Sequence, residues 1–109
     1  MKGSKNMAGG MQQMIKQANQ MQNRIKKIQE DLNQKTYSGK SGGEAVCVTV
    51  SGEYLISTIS IKDELFKDAD KEMLQDLITI AANDAIKSAK EDSETQMGQA
   101  TGGAMPGLF

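Results

Sequence analysis

The sequence has no histidine and no tryptophan, one proline, one cysteine, and as aromatics only Tyr37, Tyr54, Phe66 and Phe109. Each shortage removes a class of function. Without histidine, the usual general base and the commonest zinc ligand are missing. Cys47 has neither a second cysteine nor a histidine to work with, so it forms no internal disulfide and makes no thiol nucleophile or metal site. A small, half-buried hydrophobe in a strand is the role predicted for it. So few aromatics provide no stacking platform for single strands, and the core must come from Ile, Leu, Val, Met and Ala. The most apolar run, LITIAA at 77–82, is far too short to cross a bilayer, and MKGSKNMAGG lacks the apolar stretch of a secretion signal. The expectation is a cytoplasmic protein that is not an enzyme, with no cofactor, metal, membrane partner or small-molecule substrate.

What is present is unevenly charged. The chain has 109 residues, 38% of them apolar, enough for one modest domain, and small domains bury little surface for their size. Self-association is expected on that ground. The net charge is −1, yet residues 1–40 hold eight bases and two acids (+6), while residues 41–109 hold five bases and twelve acids (−7). Such a division points to a polyanion as partner of the basic part.

Met7, Met11, Met14, Ala18, Met21, Ile25, Ile28 and Leu32 follow one another at alternating steps of four and three residues. This is an uninterrupted heptad seam. Gly9-Gly10 precedes it and no further Gly or Pro comes before Gly39, so a helix is predicted over about residues 10–34, roughly 37 Å long. A domain of this size cannot cover such a rod, and part of the seam must meet another helix, from this chain or from a second copy.

Three short strands are predicted next: KTYS at 35–38, EAVCVTVS at 44–51 with Val46, Val48 and Val50 on one face, and YLISTISI at 54–61 with Leu55, Ile59 and Ile61 together. SGKSGG at 38–43 is a loop. Gly52-Glu53 has the form of a two-residue II′ hairpin turn. A second helix is predicted over about 70–92, with Asp70 as N-cap and Glu72 in its first turn. Its apolar residues span an arc of about 240°, where one sheet face needs only about 100°. The surplus calls for a partner subunit, and Leu74, Leu77, Ile78, Ala81, Ala82 and Ala85 are the candidate dimer interface. Asp84 falls within the arc, where a structural hydrogen bond is expected. The domain boundaries are therefore 1–9 as a flexible N-terminus, 10–92 as a single dimerising domain, and 93–109 as a mostly disordered tail in which Leu108-Phe109 is a weak docking point.

Gly39-Lys40-Ser41 looks like the end of a phosphate-binding loop, but the position needing the earlier glycine is Gln34, and the strand before and helix after are missing. The acid pairs Asp63-Glu64 and Asp68-Asp70 sit where helix caps and dipole partners belong. The cations of the first helix carry more meaning. Lys16, Arg24 and Lys27 fall opposite the seam and Lys26 at its border, with Gln12, Gln13, Asn19, Gln20 and Asn23 in the remaining exposed positions and no carboxylate before Glu30. Ammonium, guanidinium and amide groups are what phosphate oxygens accept. Lys16 and Lys27 lie about 16 Å apart along one line, and Lys16, Arg24, Lys26 and Lys27 are the candidate contacts to a nucleic-acid backbone. Four charges make a thin footprint, which a dimer doubles.

IKQANQMQNRIKKIQEDL, VCVTVSGEY followed by ISI, DKEMLQDLITIAANDAIKSAKE and the closing MPGLF resemble, in that order, segments of the YbaB/EbfC family of bacterial nucleoid-associated proteins. The resemblance implies an α+β, two-layer αβββα fold with a long N-terminal helix, a three-stranded antiparallel sheet and a C-terminal helix. It also implies an intertwined homodimer whose first helices project like tweezer arms, and DNA binding with little sequence preference, in the nucleoid. The alternative reading is a prefoldin-like chaperone or protein-interaction module that holds clients in the Met-rich seam; it requires a comparable heptad on both helices.

Overall fold

The computed structural model describes the backbone of residues 2–102 and the side chains of residues 9–102. The elements are α1 (Lys2–Asn33), β1 (Thr36–Ser41), β2 (Val46–Ser51), β3 (Ile56–Ile61), a short α2 (Asp63–Asp68) and α3 (Lys71–Ala100). The expected αβββα order is present, with α2 as an added element. The molecule measures 82 × 22 × 16 Å, with a radius of gyration of 22.0 Å. A compact chain of this length has a radius of about 13 Å. The excess comes from α1, whose 32 residues form a rod of about 48 Å that the body cannot enclose.

The sheet is antiparallel with β2 in the centre. Alternation sends Val46, Val48 and Val50 to one face, where all three are fully buried, each worth about 1.5–3 kcal/mol of transfer free energy. Cys47 faces the other way and is half-buried, as its alternation predicts. Ala81, Ala85 and Ala89 form one line along α3 and cover the valines. These small side chains bring the helix close to β1, and Gly39 is the point of nearest approach. A Cβ there would overlap the backbone of Ala81 and Ala85. For that reason Gly39 belongs to β1, and the strand runs through Ser41 instead of giving way to a loop at residue 38. The turn that follows holds Gly42, Gly43 and Glu44 in the left-handed region, at φ 61°, 66° and 73°.

The β2–β3 hairpin also departs from expectation. Its loop has three residues, not two: Tyr54 N–H donates to the Ser51 carbonyl at 2.9 Å, Ser51 N–H donates to Leu55 O at 2.8 Å, and Tyr54, not Gly52, takes positive φ. Gly52 has a packing role instead. A Cβ on it would overlap the Leu32 carbonyl, and its N–H donates to Lys35 O at 3.0 Å, which fastens the hairpin to the end of α1. A register shift at Thr49/Val50 places Ile56 opposite Val50. Leu55 is thereby left in the turn, exposed, and does not join Ile59 and Ile61.

Asp70 caps α3 as predicted, its carboxylate accepting from Met73 N–H at 2.7 Å. The helix continues to Ala100, eight residues beyond the expected end at 92. The extension has a surface to bury: Met97, Ala100 and Thr101 are buried, and α3 packs beside α1, where Leu32 is buried too. Gly102 then closes the helix at φ 63°. Helix α1 likewise begins earlier than expected, running through Gly9-Gly10 from Lys2, so that most of the stretch read as a flexible N-terminus is helical. The tail beyond Gly102, with Leu108-Phe109, lies outside the described residues.

Candidate nucleic-acid interface

Helix α1 has two halves with different surroundings. Toward its C-terminal root, Met21, Ile25 and Ile28 are half-buried and Leu32 is buried, because the end of α3 lies alongside. Toward its tip, Met11, Met14, Ile15 and Ala18 are exposed. The seam therefore meets a helix of its own chain over its root, and Met7 lies outside the described side chains. The tip stands clear as an arm.

Lys16, Arg24, Lys26 and Lys27 are all exposed on this arm. The ion pairs among the described residues are Lys35–Asp92 and Lys40–Glu44, so none of the four is neutralised by a carboxylate of the described chain. Arg24 shares a shallow depression with Gln17, Gln20 and Met21. It therefore flanks the seam, whereas Lys26 stands farther round the helix, the reverse of their predicted placing. Lys16 and Lys27 define the outward line.

The root of the arm carries a cluster that no local pattern announces. Tyr37 Oη donates to Asp92 Oδ2 at 2.6 Å, Lys35 Nζ donates to the same oxygen at 3.0 Å, and Gln96 Nε2 donates to Oδ1 at 3.4 Å. The Tyr37 and Lys35 bonds hold the Asp92 carboxyl below its ordinary range. Burial, reinforced by the Asp92 bond, pushes the Tyr37 phenol up to about 12. Beside the cluster lies a small cleft of about 140 Å³ lined by Ile28, Asp31, Leu32, Lys35 and Gln96. Lys35 is thereby committed to the joint between arm and body.

The candidate dimer residues divide differently from the expectation. Ala81 and Ala85 are 0% exposed within the protomer, where they cover the sheet valines and have no surface to offer a partner. Leu77, Ile78 and Ala82 are half-buried against the same core, and Leu74 is half-buried. The uncovered apolar surface lies elsewhere. Helix α3 rests on β1 and β2, leaving Ile56 at 51% and Ile59 at 49% exposure on β3. Met73, Ile80 and Phe66 are exposed as well. Asp84, read as a structural hydrogen-bonding group, is exposed beside Gly39. Among the described residues, no group of three His, Cys, Asp or Glu side chains is placed to hold a metal ion, and no helix is long and apolar enough to cross a membrane. Nor does α3 repeat the heptad of α1, as the prefoldin-like alternative requires, since its buried line faces a sheet.

A two-layer α+β body with a long helical arm that carries exposed cations defines the class of protein. The family is identified by comparison: residues 7–105 match the model of the YbaB/EbfC DNA-binding family, and the chain belongs to it. It is 40% identical over 102 residues to a nucleoid-associated protein of Clostridium kluyveri, covering 93% of this chain and 90% of that one. It is 47% identical over 90 residues to a nucleoid-associated protein of Desulfotalea psychrophila, covering 83% and 85%. The crystal structure of an uncharacterised Helicobacter pylori protein superposes with a TM-score of 0.69 at 25% identity, covering 82% of this chain and 94% of that one.

Proposed function

We propose that this chain is a homodimeric DNA-binding protein of the bacterial nucleoid that grips the phosphate backbone with its α1 arms and has little sequence preference. The carrying observation is that Lys16, Arg24, Lys26 and Lys27 are exposed and without a carboxylate partner among the described residues, on an element that projects from the body. Their neighbours are amides, which like the cations address phosphate oxygens and carry no information about bases. The body, with its acidic excess, is the wrong sign for this partner, which leaves the arm as the contact. Organisation of the nucleoid, with effects on gene expression, follows from covering DNA in this way.

Pairing of two bodies is supported by the open side of the sheet. Ile56 and Ile59 share the face of the buried valines and are about half exposed, since α3 rests on β1 and β2. Two copies meeting there bury this surface and double the footprint of a single arm. Binding measured as a function of salt tests the reading. With both arms engaged, log affinity falls with log salt at a slope near −7, at about −0.9 per neutralised phosphate. Changing Lys16, Arg24, Lys26 and Lys27 to Gln flattens the slope and leaves the thermal transition in place. A slope unchanged by the four substitutions moves the contact off the arm.

A further inference from the structure

The exposed stripe at the tip of α1 is unused by phosphate binding. Met11 is 62%, Met14 70% and Ile15 57% exposed, on the side of the helix away from Lys16. We infer that this stripe is a pairing surface for the same segment of a second copy, so that chains are joined arm to arm.

Three features select another α1 as the occupant. The heptad spacing that packs Ile25, Ile28 and Leu32 beside α3 continues unbroken through Met21, Ala18, Met14 and Met11, past the point where α3 ends at Ala100. A seam in register with an existing helix–helix contact calls for a helix. The flanks of the open part are neutral: from Met11 to Asn23 the one charged residue is Lys16, which lies on the far side, while Gln17 and Gln22 border the seam and Ile15 widens it. Two copies therefore bring no like charges together, and glutamine, which both donates and accepts, pairs with glutamine in either helix direction. An acidic or basic partner segment finds nothing on these flanks to recognise.

The phosphate-binding groups and the pairing groups occupy separate sides of one helix, so both contacts form together. The paired length from Met11 to Met21 is about 15 Å, a weak contact by itself. It becomes effective when copies are concentrated along a shared DNA, where the second encounter is intramolecular in kind. With body pairing at the other end of the molecule, the chain has two self-association surfaces and assembles beyond a dimer.

Site-directed cross-linking of the full chain tests this. In a Cys47→Ser background, Met14→Cys places a thiol on the stripe and Lys16→Cys places one on the outward line. On mild oxidation in the absence of DNA, where the lost Lys16 charge does not enter, Met14→Cys gives disulfide-linked pairs several-fold more readily than Lys16→Cys, and adding Met11→Gln and Ile15→Gln removes the difference. Equal cross-linking at the two positions overturns the inference. So does its absence at both, with or without DNA present. Adding Ile56→Thr and Ile59→Thr separates this contact from the proposed body pairing. The Met14→Cys cross-link persists there, and its loss would mean that the arms meet only because the bodies do, which also overturns it. Sedimentation of the same variant reports on the body surface by itself.

Discussion

Tyr37 Oη donates a 2.6 Å hydrogen bond to Asp92 Oδ2, joining β1 to the second half of α3 across 55 residues of sequence. Lys35, the second residue after α1, shares the oxygen. One carboxylate thus connects the sheet, the long C-terminal helix and the base of the arm.

Tyr37→Phe is expected to lower stability by about 1.5 kcal/mol, the lower end of the range for a hydrogen bond to a charged group, since the bond is only part-buried. The sign of the pH dependence follows from both partners. Asp92 titrates below its ordinary 3.8, so its contribution is complete above that pH and is lost as pH falls through the lower native value. Tyr37 titrates near 12 against an ordinary 10.0, so its contribution is complete below pH 10.0 and disappears as pH rises toward 12. Chemical denaturation across pH, with phenolate absorbance followed at the alkaline end, checks both limbs. Equal pH dependence in wild type and Tyr37→Phe contradicts the assignment.

Gly39→Ala should be among the most damaging substitutions in the chain. The new methyl group meets helix backbone at Ala81 and Ala85, which cannot rotate aside, so α3 must lift from the sheet. A loss of about 3 kcal/mol is expected, at the upper end for overpacking. A denaturation midpoint equal to wild type would show that the helix does not sit where it is described.

Gly9→Ala and Gly10→Ala act in the opposite direction. Both sites are open, with nothing near an added Cβ. Each substitution should favour the helical state of the arm tip by about 1 kcal/mol. Far-ultraviolet circular dichroism should gain helical signal while the main thermal transition, which belongs to the body, stays where it was.

The proposed body surface is separable from the core by a matched pair of variants. Ile56→Thr with Ile59→Thr should remove the body-to-body dimer, so that the dilute chain sediments as a monomer with only the weak arm contact left, and keep the fold, because both side chains are about half exposed. Ala85→Leu should unfold the protomer, because Ala85 has no free surface to expand into. If Ala85→Leu stays folded and only dissociates, the interface lies on α3 after all.

Elements whose signals are periodic and local follow from the residue order without reference to the folded chain. The step of three and four residues made α1 a helix, alternation made Val46, Val48 and Val50 the buried face of β2, and Asp70 marked the start of α3. The exposure of the cations was legible too, since it needs only a helix and a seam, although Arg24 and Lys26 exchange their predicted places around it. Features that depend on a distant neighbour come into view with the folded chain. Ala81 and Ala85 look like spare apolar surface until the sheet is placed beneath them, and Ile59 looks like core until α3 is seen to stop at β2. The run from Ser93 to Ala100 becomes helix because α1 lies beside it, and Gly39 and Gly52 are required by backbone approaching from elements remote in sequence. Periodicity is set by the chain's own geometry, whereas burial is a relation between two surfaces, and one residue pattern serves a core or an interface according to what lies across from it.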